Sequence, residues 1–158
     1  MSSVETFFKE AKELHLKTIT GFESAVPVVF MLKNNKMMIC PIMGCQDRSP
    51  MDALKPIVEA TSPTAYIFCA ESWMKMYDQK DPKQKAKAER DRKKLKYGDI
   101  SKMKDKKEVM IRIGSSMDNK VKISEICDII RDKQNKIIDL VIREDLSNKD
   151  EFESTKLP

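Results

Sequence analysis

The sequence predicts an α+β fold: a largely antiparallel sheet of about six strands, two helices packed on one face of it, and a Lys-rich insertion before the last three strands. Three observations lead there. A capped amphipathic helix opens the chain, β-rich runs follow one another across short turns as antiparallel neighbours do, and one charged stretch has too few apolar residues to build a core of its own. The element order reads α-β-β-α-β-β-β-β. With 158 residues and 41% apolar content, a single domain over 1–145 is expected to carry the core, with 78–107 inserted in it and a polar C-terminal tail over 146–158.

Ser2-Ser-Val-Glu5 has the spacing of a capping box, in which the serine hydroxyl accepts an orphan backbone N–H and the glutamate reaches back to the cap. Val4, Phe7, Phe8, Ala11, Leu14, His15, Thr18 and Phe22 recur at steps of three and four, which gives one apolar helix face ending near Gly21. Two β-rich runs, Val26 to Lys33 and Lys36 to Met43, flank Asn34-Asn35, a pair that tolerates the positive φ of a tight hairpin turn. Ser49-Pro50-Met51-Asp52 then opens a second helix, with a cap serine, proline at the first helical position and an acid in the first turn. It runs to about Thr61, and Pro56 is expected to kink or shorten it.

Thr64 to Met76 is too continuously apolar for a surface strand and is expected to lie centrally, with both faces covered at its start. Glu108 to Ser116, Lys120 to Arg131 and Lys136 to Arg143 form a closing meander. Ile126, Ile129 and Ile130 also fit a helical period, so 124–130 reads as strand with a short helix as the alternative. The second sheet face then calls for cover, by dimerisation or by water, and a homo-oligomer and a monomer both stay open.

Asp78 to Lys107 carries thirteen Lys or Arg against six Asp or Glu, a net of +7, which leaves −2 for the remainder of a chain whose net charge is +5. Such a segment serves either as a solvated helix or as a polyanion contact that releases counterions from phosphates. The candidate nucleic-acid contacts are Lys83, Lys85, Lys87, Arg90, Arg92, Lys93, Lys94 and Lys96. Only Tyr77 and Tyr97 accompany them, so a base-stacking platform is not expected. Arginine accounts for six of the thirty basic residues in the chain, and lysine suits non-specific phosphate contact better than base readout.

Several mechanisms drop out. Glycines occur only at 21, 44, 98 and 114, so neither a G-x-x-x-x-G-K loop nor a G-x-G-x-x-G turn can be written. His15 is the single histidine, which removes two-histidine chemistry and leaves a Cys or Ser paired with it as a formal option; a hydrogen-bonded core position is the expectation. Cys40-Pro-Ile-Met-Gly-Cys45 has half the spacing of a metal site, but Cys69 and Cys127 stand alone, so reduced, mostly buried thiols are expected and neither a metal nor a cofactor is specified. Glu71 shares its strand face with Ile67, Cys69 and Trp73 and must therefore be paired or have a raised pKa; Arg112 in the next strand is the candidate partner, and the two are the candidate catalytic residues. The acidic, amphipathic N-terminus and the lack of an apolar run of about 18 residues place the protein in the cytoplasm, without a membrane span.

Ala65-Tyr-Ile-Phe-Cys-Ala-Glu-Ser-Trp-Met74, followed by Asp105-Lys-Lys-Glu-Val-Met-Ile111, resembles a family of uncharacterised small prokaryotic and phage-associated proteins. Their pattern is an A-Y-x-F/V-x-x-E-x-W-M strand, a short polar link and a D-x-x-E-V strand. Glu71, Trp73 and Glu108 match it, while the link is lengthened here by the Lys-rich insertion. The resemblance implies no reaction. The functional expectation is a non-catalytic binding module that contacts nucleic acid or another acidic partner through the insertion. The alternatives are a small enzyme using Glu71 with Trp73 and Arg112, and a phage or host regulatory protein acting through protein contacts.

Overall fold

The computed structural model describes residues 3–42, 50–77, 80–94 and 106–147. The elements run α1 (Ser3–Ile19), β1 (Val28–Lys33), β2 (Lys36–Pro41), α2 (Pro50–Thr61), β3 (Ala65–Met74), α3 (Pro82–Lys94), β4 (Lys107–Ser116), β5 (Lys122–Arg131) and β6 (Ile137–Ile142), with a 3-10 turn at Glu144–Leu146. The strands form one sheet in the order β2-β1-β3-β4-β5-β6, and each neighbouring pair is antiparallel. The stretch at 124–130 is strand throughout, because its residues pair with β4 on one side and β6 on the other. Caps expected at Ser2 and Ser49, and the tail from 148 onward, lie outside the described residues, as do Cys45, Leu95, Lys96, Tyr97 and Ile100.

Asparagine supplies the left-handed residues of the hairpins. Asn34 and Asn35 have φ of 52° and 60°, as a primed turn requires, and Asn119 and Asn135 take φ of 61° and 66° in the turns that follow β4 and β5. Gly21, at φ 90°, ends α1. Its N–H bonds the Ile137 carbonyl at 2.9 Å, and the Ile137 N–H returns to the Phe22 carbonyl at 2.9 Å, so the α1–β1 connection is stitched to the start of β6. Pro56 sits inside α2, which nevertheless continues to Thr61. The amide bond it forgoes is offset by burial of Leu54 and by packing of Ile57 and Val58 on the sheet.

The expectation of two helices on one face is corrected. Phe7, Phe8 and Ala11 of α1 pack with Val28, Phe30, Ala65, Ile67, Cys69 and Ile123. Leu54 of α2 packs with Val29, Met31, Tyr66, Phe68 and Ala70. Alternate residues of a strand point to opposite faces, so α1 and α2 cover opposite sides of β1 and β3. The connectivity explains it: the chain leaves the sheet at edge strand β2 and must cross β1 to enter β3, and α2 makes that crossing on the face α1 leaves free. The need for a second copy to cover that face falls away over β1 and β3. Each large apolar side chain buried in these layers contributes about 1.5–3 kcal/mol. β3, third in the sheet, is buried on both faces from Ala65 to Ala70 and opens to solvent from Glu71 onward.

Candidate functional site

The Lys-rich segment joins β3 to β4, whose pairing extends to Trp73↔Glu108 and Met74↔Lys107. Both ends of the insertion therefore emerge side by side from one end of the sheet. Within it, α3 begins at Pro82, with Asp81 capping: its Oδ1 accepts the Lys83 N–H at 3.0 Å. Five Lys and two Arg against Glu89 and Asp91 give the helix a net charge of +5. Lys83, Lys85, Lys87, Arg90, Arg92 and Lys93 are all exposed, and none of the described α3 side chains is buried. Lys83, Arg90 and Lys93 border a shallow groove with Ala86 and Glu89. The link between α3 and the domain runs through Tyr77, whose hydroxyl donates to Asp91 Oδ2 at 2.5 Å.

At the root of this arm, the sheet end presents a polar cluster. Glu71 Oε1 accepts the Ala25 N–H at 2.7 Å. Burial, and then the neighbouring Glu108 carboxylate, raise the Glu71 pKa, against the Ala25 hydrogen bond and the Arg131 charge. Arg131 donates to Glu108 Oε1 at 2.5 Å, to the Glu23 carbonyl at 2.7 Å and to the Asn135 carbonyl at 2.9 Å. These contacts bind the α1–β1 connection to the ends of β3, β4 and β5. Trp73 lies on the same strand face as Glu71, 39% exposed, with Lys106 Nζ 4.4 Å from its ring centroid.

Arg112 is not the partner of Glu71. The register sets Arg112 opposite Cys69 in β3 and opposite Glu125 in β5. Its guanidinium donates to Glu125 Oε1 at 3.4 Å, and Lys12 of α1 approaches Glu125 Oε2 at 3.4 Å. Both Arg112 and Glu125 are buried, and Arg112 Nε has no hydrogen-bond partner among the described residues. The candidate catalytic pair is thus separated into two sites, one at the sheet end and one beneath α1.

His15 is buried, as α1's apolar face requires, but among the described residues neither ring nitrogen has a hydrogen-bond partner. Its ring stands edge-on to Phe30, with centroids 6.0 Å apart. Burial, reinforced by the Arg112 charge, lowers its pKa to about 4, so it is neutral at pH 7. Among the described residues no thiol is hydrogen-bonded to it. Burial pushes the Cys69 thiol up to about 12 and raises that of Cys127 as well, which keeps both protonated and unreactive.

Trp73, named beside Glu71 from strand alternation, does lie at the arm's root, whereas the pairing of Arg131 with Glu108 escaped sequence reading: they are 23 positions apart and meet only through the pairing of β4 and β5. Compared with known protein families, curated proteins and solved structures, the chain matches none of them.

Proposed function

We propose that the chain is a binding module of the cytoplasm that docks a polyanion, nucleic acid first among them, on α3 and the arm's root. One observation carries this reading: a helix of net charge +5 is held clear of the core, so its cations serve solvent or a partner and contribute nothing to folding. Lys83, Lys87, Arg90 and Lys93 lie over ten residue steps, about 15 Å of helix. One strand of B-form DNA presents a phosphate every 3.4 Å or so along its axis, roughly four over that length. Trp73 adds what composition alone lacked, an exposed aromatic beside cationic Lys106, suited to stacking on an unpaired base. Free thiols at Cys40, Cys69 and Cys127 suit a reducing compartment.

The test is fluorescence anisotropy of labelled single-stranded and duplex DNA across a salt series. Four phosphate contacts give a log–log salt slope of about −3.6 on duplex, so affinity falls on the order of a hundredfold between roughly 50 and 200 mM salt. The Lys83, Lys87, Arg90, Lys93→Gln variant flattens that slope toward zero at unchanged melting temperature. Wild-type affinity retained by this variant would defeat the reading. Binding of acidic proteins but not of DNA would reassign the arm to protein contacts.

A further inference from the structure

The arm's root carries more than charge. Near its end β3 presents Trp73, the single tryptophan of the chain, which keeps 39% of its surface accessible even with Lys106 Nζ seated 4.4 Å from its ring centroid. Four residues on, Tyr77 repeats the arrangement: Lys75 Nζ lies 5.1 Å from that ring's centroid, and the Tyr77 hydroxyl is bonded to Asp91 of α3. Four residues reach at most about 14 Å when fully extended, so the two ring-bearing positions lie within that distance and Tyr77 ties them to α3. Such rings are rigid and apolar on their faces, and they offer contact area at little entropic cost.

The charges around the indole decide what can approach it. Glu108 stands directly opposite Trp73 in β4, and Glu71 lies two residues back on the same strand face. Arg131 is the cation beside them, and it is already bonded to Glu108 and to the Glu23 and Asn135 carbonyls. Of the neighbouring charges, Glu23 is paired with Lys136, and Lys107 with Asp128. Two carboxyls therefore share one committed guanidinium beside the ring, a setting that does not welcome a phosphate. The cations of the arm lie outward of it, Lys106 at the ring, Lys75 at Tyr77, then Lys83, Lys87 and Arg90 on α3. A ligand that suits both parts has an uncharged flat body for Trp73 and anionic groups for the lysines. An unpaired nucleotide strand is divided in that way, into neutral bases and an anionic backbone.

We infer that the arm's root reads unpaired strands: one base stacks on Trp73 while the adjoining phosphates run out along α3, which makes single-stranded nucleic acid the ligand class and Trp73 its specificity-determining residue. This rests on the reading of α3 as a polyanion contact and adds a preference that charge alone cannot produce. In a duplex the base faces are already stacked on one another, and freeing one costs at least about as much as a single aromatic contact returns. A duplex is accordingly held by its phosphates only. A single strand gains the stacking contact as well, which is worth about tenfold in affinity.

Because the chain has one indole, its emission reports on this site alone. Oligothymidylate, the same strand annealed to oligoadenylate, and a fully abasic strand of equal length are each titrated into the full chain across a salt series, following Trp73 emission and the anisotropy of labelled strands. Oligothymidylate is expected to quench the indole saturably and to bind about tenfold more tightly than the abasic strand, which has the same phosphates and no bases. The duplex is expected to bind with a steep salt dependence and to leave the emission unmoved. Trp73→Ala should cost oligothymidylate about tenfold and the duplex nothing, with the salt slopes unchanged, while Trp73→Phe, which keeps a stacking ring, retains most of the affinity. Oligouridylate run in parallel distinguishes RNA from DNA as the source of the strand, and saturable quenching by either supports the inference. An abasic strand bound as tightly as oligothymidylate, or a duplex that quenches the indole as strongly as the single strand, overturns it and leaves the reading of α3 standing. Failure of all the strands to bind overturns both.

Discussion

Helices α1 and α3, of 17 and 13 residues, are built from opposite materials and do opposite things. α1 buries Phe7, Phe8, Ala11, His15 and Ile19 against the sheet and brings one charge, Lys12, to a buried carboxylate. α3 buries none of its described side chains and turns its cations outward. A helix polar on every side gains almost nothing from packing, so its stability rests on its cap, its Tyr77–Asp91 tether and its intrinsic propensity. The contrast separates the residues that build the core from the cations left to solvent, so that each set can be altered without the other.

The sharpest way to break that separation is in the core. Phe30→Ala removes a ring buried between α1 and β1, and urea unfolding is expected to show a loss of about 3–5 kcal/mol. Next comes acid. His15 titrates near 4 in the folded chain against 6.5 unfolded, so its contribution is present above pH 6.5 and is lost as pH falls from 6.5 to 4, roughly 3 kcal/mol in all. Stability measured across that window should slope in wild type and flatten in His15→Phe. Gly114→Ala is a smaller test of the same layer. A Cβ there meets the Tyr66 carbonyl and lies 2.9 Å from Ile123 Cγ2, so a loss of about 1–3 kcal/mol is expected.

The arm should answer differently. The four-Gln variant of α3 is expected to unfold within about 0.5 kcal/mol of wild type, while its salt-sensitive binding disappears. A large stability loss would show that α3 belongs to the core after all. Smallest in effect is Glu71→Gln, which keeps an acceptor for the Ala25 N–H and removes the repulsion with Glu108. A carboxyl with a raised folded pKa favours folding at low pH and costs stability as pH rises through that pKa. The variant should therefore gain on wild type with increasing pH, and calorimetry at two pH values checks the sign.

Much of this was legible in the residues. Asn34-Asn35 specified a hairpin because few other pairs accept two positive φ values, and the three-and-four spacing of Phe7, Phe8 and Ala11 defined the face of α1. What periodicity cannot encode is which side of a sheet a helix will cover. That is settled by the β2-to-β3 crossing over β1, a property of strand order. For the same reason Arg112 was assigned to the wrong carboxylate: both neighbours on its face, Cys69 and Glu125, follow from register alone. His15 was legible as buried, but its missing hydrogen bonds depend on what surrounds it.

The pairing of Met74 with Lys107 has one more consequence. Because those two residues are neighbours across a hairpin, everything between them is a graft on the end of a ribbon, and the entropy of closing such a loop grows only with the logarithm of its length, about 0.6 kcal/mol per doubling. A fluorescent domain or an affinity peptide spliced in there should be carried at little thermodynamic expense, which makes this end of the sheet the natural attachment point for engineering the scaffold.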